Sequence, residues 1–324
     1  MIRLNILFYG DGPWAHLSLE KIIKSKEFNI KGVILRYEKQ DPILRKIAEE
    51  NDIKVYVSKN VNSEEFIEFS KSLKLDLSVS MSFNQIIKEK LRKTNKIGFI
   101  NCHAGKLPYY RGRNILNWAL INDEKEFGVT AHFIDDGIDT GDIISQAVIP
   151  IEEKDNYSTL LEKAIKKSPE VLYDALVKIK SGNYNTIKQN HISGSYFSYR
   201  RIGDEYIEWN WNSRRIYNFV RAITEPAPGA QTFLNGEKVY VWEVEETNFQ
   251  NYISTPGEII NKDNEGIYVK TGDNVIKIIK ISTDKKPEKR IPKFSVGKRF
   301  ENYYDYKINS LEERIKYLED KLGE

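Results

Sequence analysis

The chain alternates between two textures of hydrophobic and polar positions. "LNILFYGDG" (Leu4 to Gly12) is a short apolar run closed by a glycine turn, and "LSLEKIIKS" follows with helical spacing at Leu17, Leu19, Ile22 and Ile23. "IKGVILR" (Ile30 to Arg36) is a second apolar, β-branched run. "PILRKIAEENDIKVYV" reads as helix then strand, "SEEFIEFSKSLKLDLSVSMSF" repeats the alternation, and "IGFINCH" (Ile97 to His103) is the next strand. Strands alternating with helices predict an α/β domain of Rossmann type, with a mainly parallel sheet and helices on both faces. Asn156 to Gly182 is helical in period, and Pro169 there starts a second helix or kinks the first.

The texture changes downstream. Residues 186–204 are polar, turn-rich and weakly periodic, which predicts a linker after a first domain of 1–185. "EWNWNSRRIYNFVRAI" is helix-like. "AQTFLNGEKVYVWEVE" is a pair of alternating runs joined by Asn235-Gly236, a strong hairpin signal, and further short strands follow. Residues 205–300 are therefore expected to form a smaller β-rich, OB-like barrel domain. In the 301–324 tail, Ile308, Leu311, Ile315, Leu318 and Leu322 recur at alternating spacings of three and four, an a/d seam, and Ser310 with Glu313 fits a capping box. A helix docked on its own chain and a dimerisation helix fit this pattern equally; a homodimer is the expected assembly.

Composition narrows the function classes. The 324 residues carry 50 basic and 47 acidic side chains, for a net charge of +3, a weak basic excess for a protein held to nucleic acid by phosphate contacts. A single cysteine excludes an internal disulfide framework and a Cys-rich zinc site. The start lacks a signal-peptide pattern and no apolar run approaches a bilayer span, so a cytoplasmic protein without membrane insertion is expected.

Three stretches carry candidate chemistry. "GDGPW" has Gly10 and Gly12 after the first strand, but Ala15 stands where a dinucleotide fingerprint prefers glycine and Arg36 ends the second strand in place of an acid. A tight strand-to-helix turn explains it better than an NAD site. In "FINCHAGKLPYYRG", strand alternation puts Asn101 and His103 on one face and Cys102 on the other. That disfavours a Cys/His nucleophile pair and makes Cys102 a small buried residue. An amide that can hold an oxyanion beside an imidazole that can take a proton suits acyl transfer; a structural polar pair fits the same residues. "GVTAHFIDDGIDTGDII" feeds a loop holding Asp135, Asp136, Asp139 and Asp142, open to three readings: a metal site, a turn capped by its carboxylates, or one Asp that orients His103.

Asn101 and His103, then Leu107, Pro108, Arg111 and Gly112, then Asp139 within Gly137-Ile138-Asp139-Thr140-Gly141, closely resemble the signature of formyltransferases that use N10-formyltetrahydrofolate. The resemblance covers residues 1–245 or so, since "EWNWNSRRIYNFVRAITEPAPGAQTFLNGEKVYVWEVE" is similar to the start of that family's C-terminal domain. It implies catalysis by Asn101, His103 and Asp139 without a metal, and a folate co-substrate held near Ser82, Phe83, Gln85, Ile86 and Asp136. "RNILNWAL" after Gly112 looks like the nucleotide-sugar N-formyltransferases rather than the initiator-tRNA enzymes, which implies a dTDP- or UDP-linked 3- or 4-amino dideoxyhexose used for surface glycans. Arg111, Arg113, Asn114 and Trp118 are then the substrate-binding candidates, with Arg200 and Arg201 as further partners for a diphosphate. Methionyl-tRNA formyltransferase, a formyl-folate hydrolase and a non-catalytic ligand-binding module are the rivals.

Overall fold

The computed structural model describes residues 3–182, 184–201, 203–250 and 252–323. The chain divides into two compact units: Met1–Leu116 with Lys125–Ile151 and Leu160–Ser198, and Asn117–Glu124 with Glu152–Thr159 and Tyr199–Glu324.

The first unit is an α/β fold. Its strands are β1 (Asn5–Gly10), β2 (Asn29–Leu35), β3 (Val55–Val57), β4 (Leu77–Met81), β5 (Gly98–His103), β6 (Arg111–Gly112), β7 (Glu126–Phe133), β8 (Ile143–Pro150) and β9 (Tyr196–Phe197). The helices between them are α1 (Gly12–Ser25), α2 (Pro42–Glu49), α3 (Glu64–Ser72) and α4 (Glu89–Arg92); α5 (Ile115–Ile121) and α6 (Tyr157–Ser181) pass between the units in sequence. The main sheet has the order β3-β2-β1-β4-β5-β7-β8. Its first five strands are parallel, and β7 and β8 add an antiparallel edge. β1 is buried from Ile6 through Tyr9 because parallel strands are covered on both faces. α1 turns Ala15, Ser18, Leu19 and Ile22 inward, the i, i+3, i+4, i+7 stripe of a surface helix.

Local chemistry sets the element ends. Asp41 caps α2: its Oδ1 accepts from the amides of Ile43 (2.9 Å) and Leu44 (3.0 Å), and its Oδ2 accepts from Gly12 (2.7 Å) and contacts His16 Nε2 (2.7 Å). Pro169 lies inside α6, which continues through it as one helix, so no second helix starts there. Residues 186–204, expected as a linker, contain β9, which pairs with β6, and the buried Gln189.

The second unit holds α7 (Ser213–Ile223) and strands β10 (Ala230–Leu234), β11 (Glu237–Glu246), β12 (Ile259–Lys262), β13 (Ile267–Lys270), β14 (Val275–Thr283) and β15 (Lys286–Arg290), then α8 (Tyr303–Leu322). Its antiparallel sheet has the order β10-β11-β14-β13-β12, with β15 on β14. Asn235 and Gly236 both take positive φ (50° and 75°) in the β10–β11 hairpin, as their sequence predicts. Trp209 is buried, stacks on Phe300 at 5.3 Å and donates to Thr232 Oγ1 at 2.9 Å. The N-cap of α8 is Asn302, and Ser310 lies within the helix, so the expected capping box at Ser310 is not the start of the element.

Candidate active site

β5 delivers two polar side chains to one place. Asn101 and His103 are two residues apart and therefore share a face, while Cys102 turns away, its Sγ 3.9 Å from the Ser168 carbonyl. Burial pushes the Cys102 thiol up to about 12, so it is not a thiolate at neutral pH. The acidic loop after β7 brings Asp139 against the Asn101/His103 face. Asp139 Oδ1 accepts from Asn101 Nδ2 at 3.4 Å, and Oδ2 lies 3.7 Å from His103 Nδ1 and accepts from the Gly112 amide at 2.9 Å.

His132 is the member that sequence reasoning missed. The β5–β7 register sets it opposite Asn101, and its Nε2 is 3.4 Å from Asn101 Nδ2 and 3.5 Å from Asp139 Oδ1. Period-two alternation along "VTAHF" was the signal that could have found it: Thr130 and His132 share a face as Asn101 and His103 do. The His132 Nδ1 donates to the Phe133 carbonyl at 2.7 Å, which leaves Nε2 to face the carboxylate and the amide. The His103 Nε2 is held by the Tyr110 carbonyl at 2.7 Å, which leaves its Nδ1 on the Asp139 side. Burial opposes ionisation of Asp139, but the two imidazoles and the Gly112 amide outweigh it and hold the carboxyl well below the usual carboxylate range.

Backbone geometry locks this arrangement. Asp139 takes a left-handed conformation (φ 54°), a strained state that persists where surroundings over-determine it. Gly112, at φ 96°, leaves no room for a side chain, because a Cβ would overlap the Phe197 carbonyl across the β6–β9 pair. Thr130 Oγ1 donates to the Gly105 carbonyl (2.7 Å), and Gln146 Nε2 to the Leu107 carbonyl (3.0 Å) and to Thr130 (2.8 Å), which fixes the loop after β5.

Not every expected binding residue reaches this place. Arg111 is an interior residue: Gln189 Oε1 accepts from its Nε (3.1 Å) and Nη2 (2.7 Å), with Tyr196 and His191 beside it, so it braces the loop and does not offer its charge to a diphosphate. Arg113 is exposed, and Asn114 follows it at φ 55°. Trp118 stands half-buried on α5 and belongs to the second unit, as do the half-buried Arg200 and the exposed Arg201. In the loop after β4, Phe83 packs edge-on against Tyr9 (5.3 Å) and Ile86 is exposed. The carbonyl of Ser82 accepts from Arg36, which also pairs with Asp11 at 3.0 Å. Gln85 is occupied as a brace between loops, accepting from the Val61 amide and donating to the Ser58 carbonyl, both at 3.0 Å. Asp136 is exposed and pairs with Arg92. Asp135 accepts from the Gly137 amide and from Thr140, the capped-turn arrangement, and among the described residues no group of three or more His, Cys, Asp or Glu side chains could hold a metal ion.

Residues 4–176 match the formyl transferase family, and residues 202–299 match the formyl transferase C-terminal domain. The chain belongs to the formyl transferase family. It is an enzyme, a formyltransferase, and its Asn101, His103 and Asp139 fall within the first matched region. Among its relatives, the methionyl-tRNA formyltransferase of Caldanaerobacter subterraneus subsp. tengcongensis is 30% identical over 305 residues, covering 91% of this chain and 97% of that one. The bifunctional polymyxin resistance protein ArnA of Wigglesworthia glossinidia brevipalpis is 38% identical over 218 residues, 67% of this chain but only 33% of that longer protein. Among solved structures, the N-formyltransferase of Helicobacter canadensis in complex with folinic acid and dTDP-3-aminofucose is 27% identical with a TM-score of 0.65, covering 86% of this chain and 99% of that one. No helix among the described residues is long and apolar enough to cross a membrane.

Proposed function

We propose that this formyltransferase moves a formyl group from N10-formyltetrahydrofolate to the free amine of a nucleotide-linked amino sugar, a 3- or 4-amino dideoxyhexose on dTDP or UDP that serves surface glycan synthesis. The convergence of Asn101, His103 and Asp139 carries the chemistry. The near-balanced charge and the Helicobacter canadensis relative, with its dTDP-3-aminofucose, support the acceptor.

The residues present fit a folate. Phe83, on the loop after β4, packs against the core ring of Tyr9, whose buried hydroxyl has no hydrogen-bond partner, an orphaned polar atom beside that loop. Ser82, Phe83, Ile86 and Asp136 would hold the group there. Bound there, the folate supplies an activated formyl carbon, whose bond to N10 is exchanged for one to the acceptor amine while the amine proton passes to N10.

Asn101 donates from Nδ2 to the formyl oxygen and holds the negative charge that develops on it. Its present contacts, both 3.4 Å, are long enough to be re-aimed without losing a strong bond. His103 takes the amine proton at Nδ1, because Tyr110 already occupies Nε2, and hands the same proton on to the departing N10. The imidazolium so formed faces Asp139 Oδ2, which stabilises it and holds the ring. Arg113 and Asn114 follow this loop and are assigned to the acceptor.

A second reading is kept by a specific observation: methionyl-tRNA formyltransferases match this chain nearly end to end. The test is mass spectrometry of products from formyl-folate with a panel of dTDP- and UDP-linked amino sugars, run beside charged initiator tRNA. A formylated sugar nucleotide is the expected product. Formyl-methionyl-tRNA with no sugar product would replace the acceptor; formate released equally with and without acceptor would overturn transfer itself.

A further inference from the structure

α8 is anchored at one end only. Tyr303 stacks on Tyr206 at 4.3 Å and Tyr306 on Phe233 at 3.8 Å, and the side chain of Asn302 accepts from the Trp209 amide at 2.8 Å. Beyond that first turn the helix buries none of its residues. Ile308, Leu311, Ile315, Leu318 and Leu322 line one side of it, between 42% and 75% exposed. An apolar stripe of this regularity left in water is unfavourable unless something covers it.

We propose that α8 pairs with α8 of a second copy of this chain as a short parallel two-stranded coiled coil. The spacing assigns Ile308, Ile315 and Leu322 to position a and Leu311 and Leu318 to position d; the β-branched Ile308 and Ile315 at a with Leu at both d positions favour two parallel strands. The flanking charges select the orientation. Position g holds Lys307, Arg314 and Lys321, and position e holds Glu312 and Glu319. In a parallel pair each g residue faces the following e residue of the other helix, so Lys307 meets Glu312 and Arg314 meets Glu319, on both sides of the seam. In an antiparallel pair g faces g and e faces e, and every such contact is between like charges. The remaining positions (Asn309, Ser310, Glu313, Lys316, Tyr317 and Asp320) are polar or, for Tyr317, flanked by Arg314 and Lys321 at 5.1 and 5.3 Å from its ring. The seam spans about 22 Å at 1.5 Å per residue, a length at which a coiled coil is marginal, so the pair should dissociate on dilution.

Sedimentation velocity of the full chain over a concentration series tests this. The wild type should pass from monomer to dimer, and L311D/L318D should stay monomeric at every concentration; both positions are exposed, and thermal melts check that the fold is kept. E312K/E319K and K307E/R314E should each weaken self-association by tenfold or more, and mixing the two should restore a dimer containing one of each. A L322C variant should form an interchain disulfide, because a parallel seam sets position 322 against itself. A wild type that is monomeric throughout, a dimer unchanged by L311D/L318D, or charge variants that do not recombine would overturn the proposal. Disulfides forming between I308C and L318C chains in place of L322C pairs would overturn the parallel orientation.

Discussion

The Nε2 of His132 lies 3.5 Å from Oδ1 of Asp139, while His103 faces the other oxygen of the same carboxylate. One carboxylate thus serves two imidazoles, the Asn101 side-chain amide and the Gly112 backbone amide. Replacing His132 by Ala removes the neighbour that fixes Oδ1 and the Asn101 amide while leaving His103 in place. Turnover should fall on the order of tenfold, short of the ~10²–10³ expected for loss of an oxyanion donor, with KM for the acceptor little changed. Steady-state kinetics decide it; a pure KM effect would place His132 in binding instead.

Asn101→Ala, His103→Ala and Asp139→Asn should each lower kcat by about 10²-fold or more, and the triple variant should be little worse than the worst single one, because residues that act as a unit are not additive. Each single variant retaining near-wild-type formyl transfer would remove the proposed assignment.

Asp139 also makes stability depend on pH. Its carboxyl titrates lower in the folded chain than in the unfolded chain, where an Asp titrates near ~3.9. The unfolded state therefore binds the proton first, and the stabilisation from ionised Asp139 is fully present above about pH 5 and lost as the pH falls below about 4. The difference in Tm between the wild type and Asp139→Asn should be constant from neutral pH to about 5 and shrink below 4. A difference that persists undiminished to pH 3 would contradict the assignment of that carboxylate.

How far the site was legible follows from how far apart its members lie along the chain. Asn101 and His103 sit on one strand, and a period of two is enough to set them on one face and Cys102 on the other. The turn chemistry of Asn235-Gly236 is equally local. His132 reaches Asn101 across 31 residues and only through strand pairing, and Gln189 reaches the Asp139 loop across about 50 residues from a run that reads as linker. Polar, aperiodic sequence gives no hint that one of its amides is buried. Arg111 misled for the complementary reason: a guanidinium reads as a surface charge until its burial partners are in view.

Gln189 carries the last prediction. Its amide is a buried hub: Oε1 accepts twice from Arg111, and Nε2 donates to the backbone carbonyls of Asp139 (2.9 Å) and Gly141 (2.7 Å). It therefore ties the Arg111 loop to the loop that presents Asp139. Gln189→Leu takes both amide hydrogen bonds from the interior Arg111 charge, leaving it the Tyr196 hydroxyl and His191, and should destabilise the fold by about 2–3 kcal/mol. Gln189→Glu separates the two halves of the role. The carboxylate keeps an acceptor for Arg111 but turns an oxygen toward two carbonyls, so the fold should survive while the Asp139 loop shifts. The expected signature is a Tm near that of the wild type with a kcat lowered about tenfold, since small misplacements at a reacting centre are costly. Equal kcat in the two proteins would show that Gln189 serves stability alone.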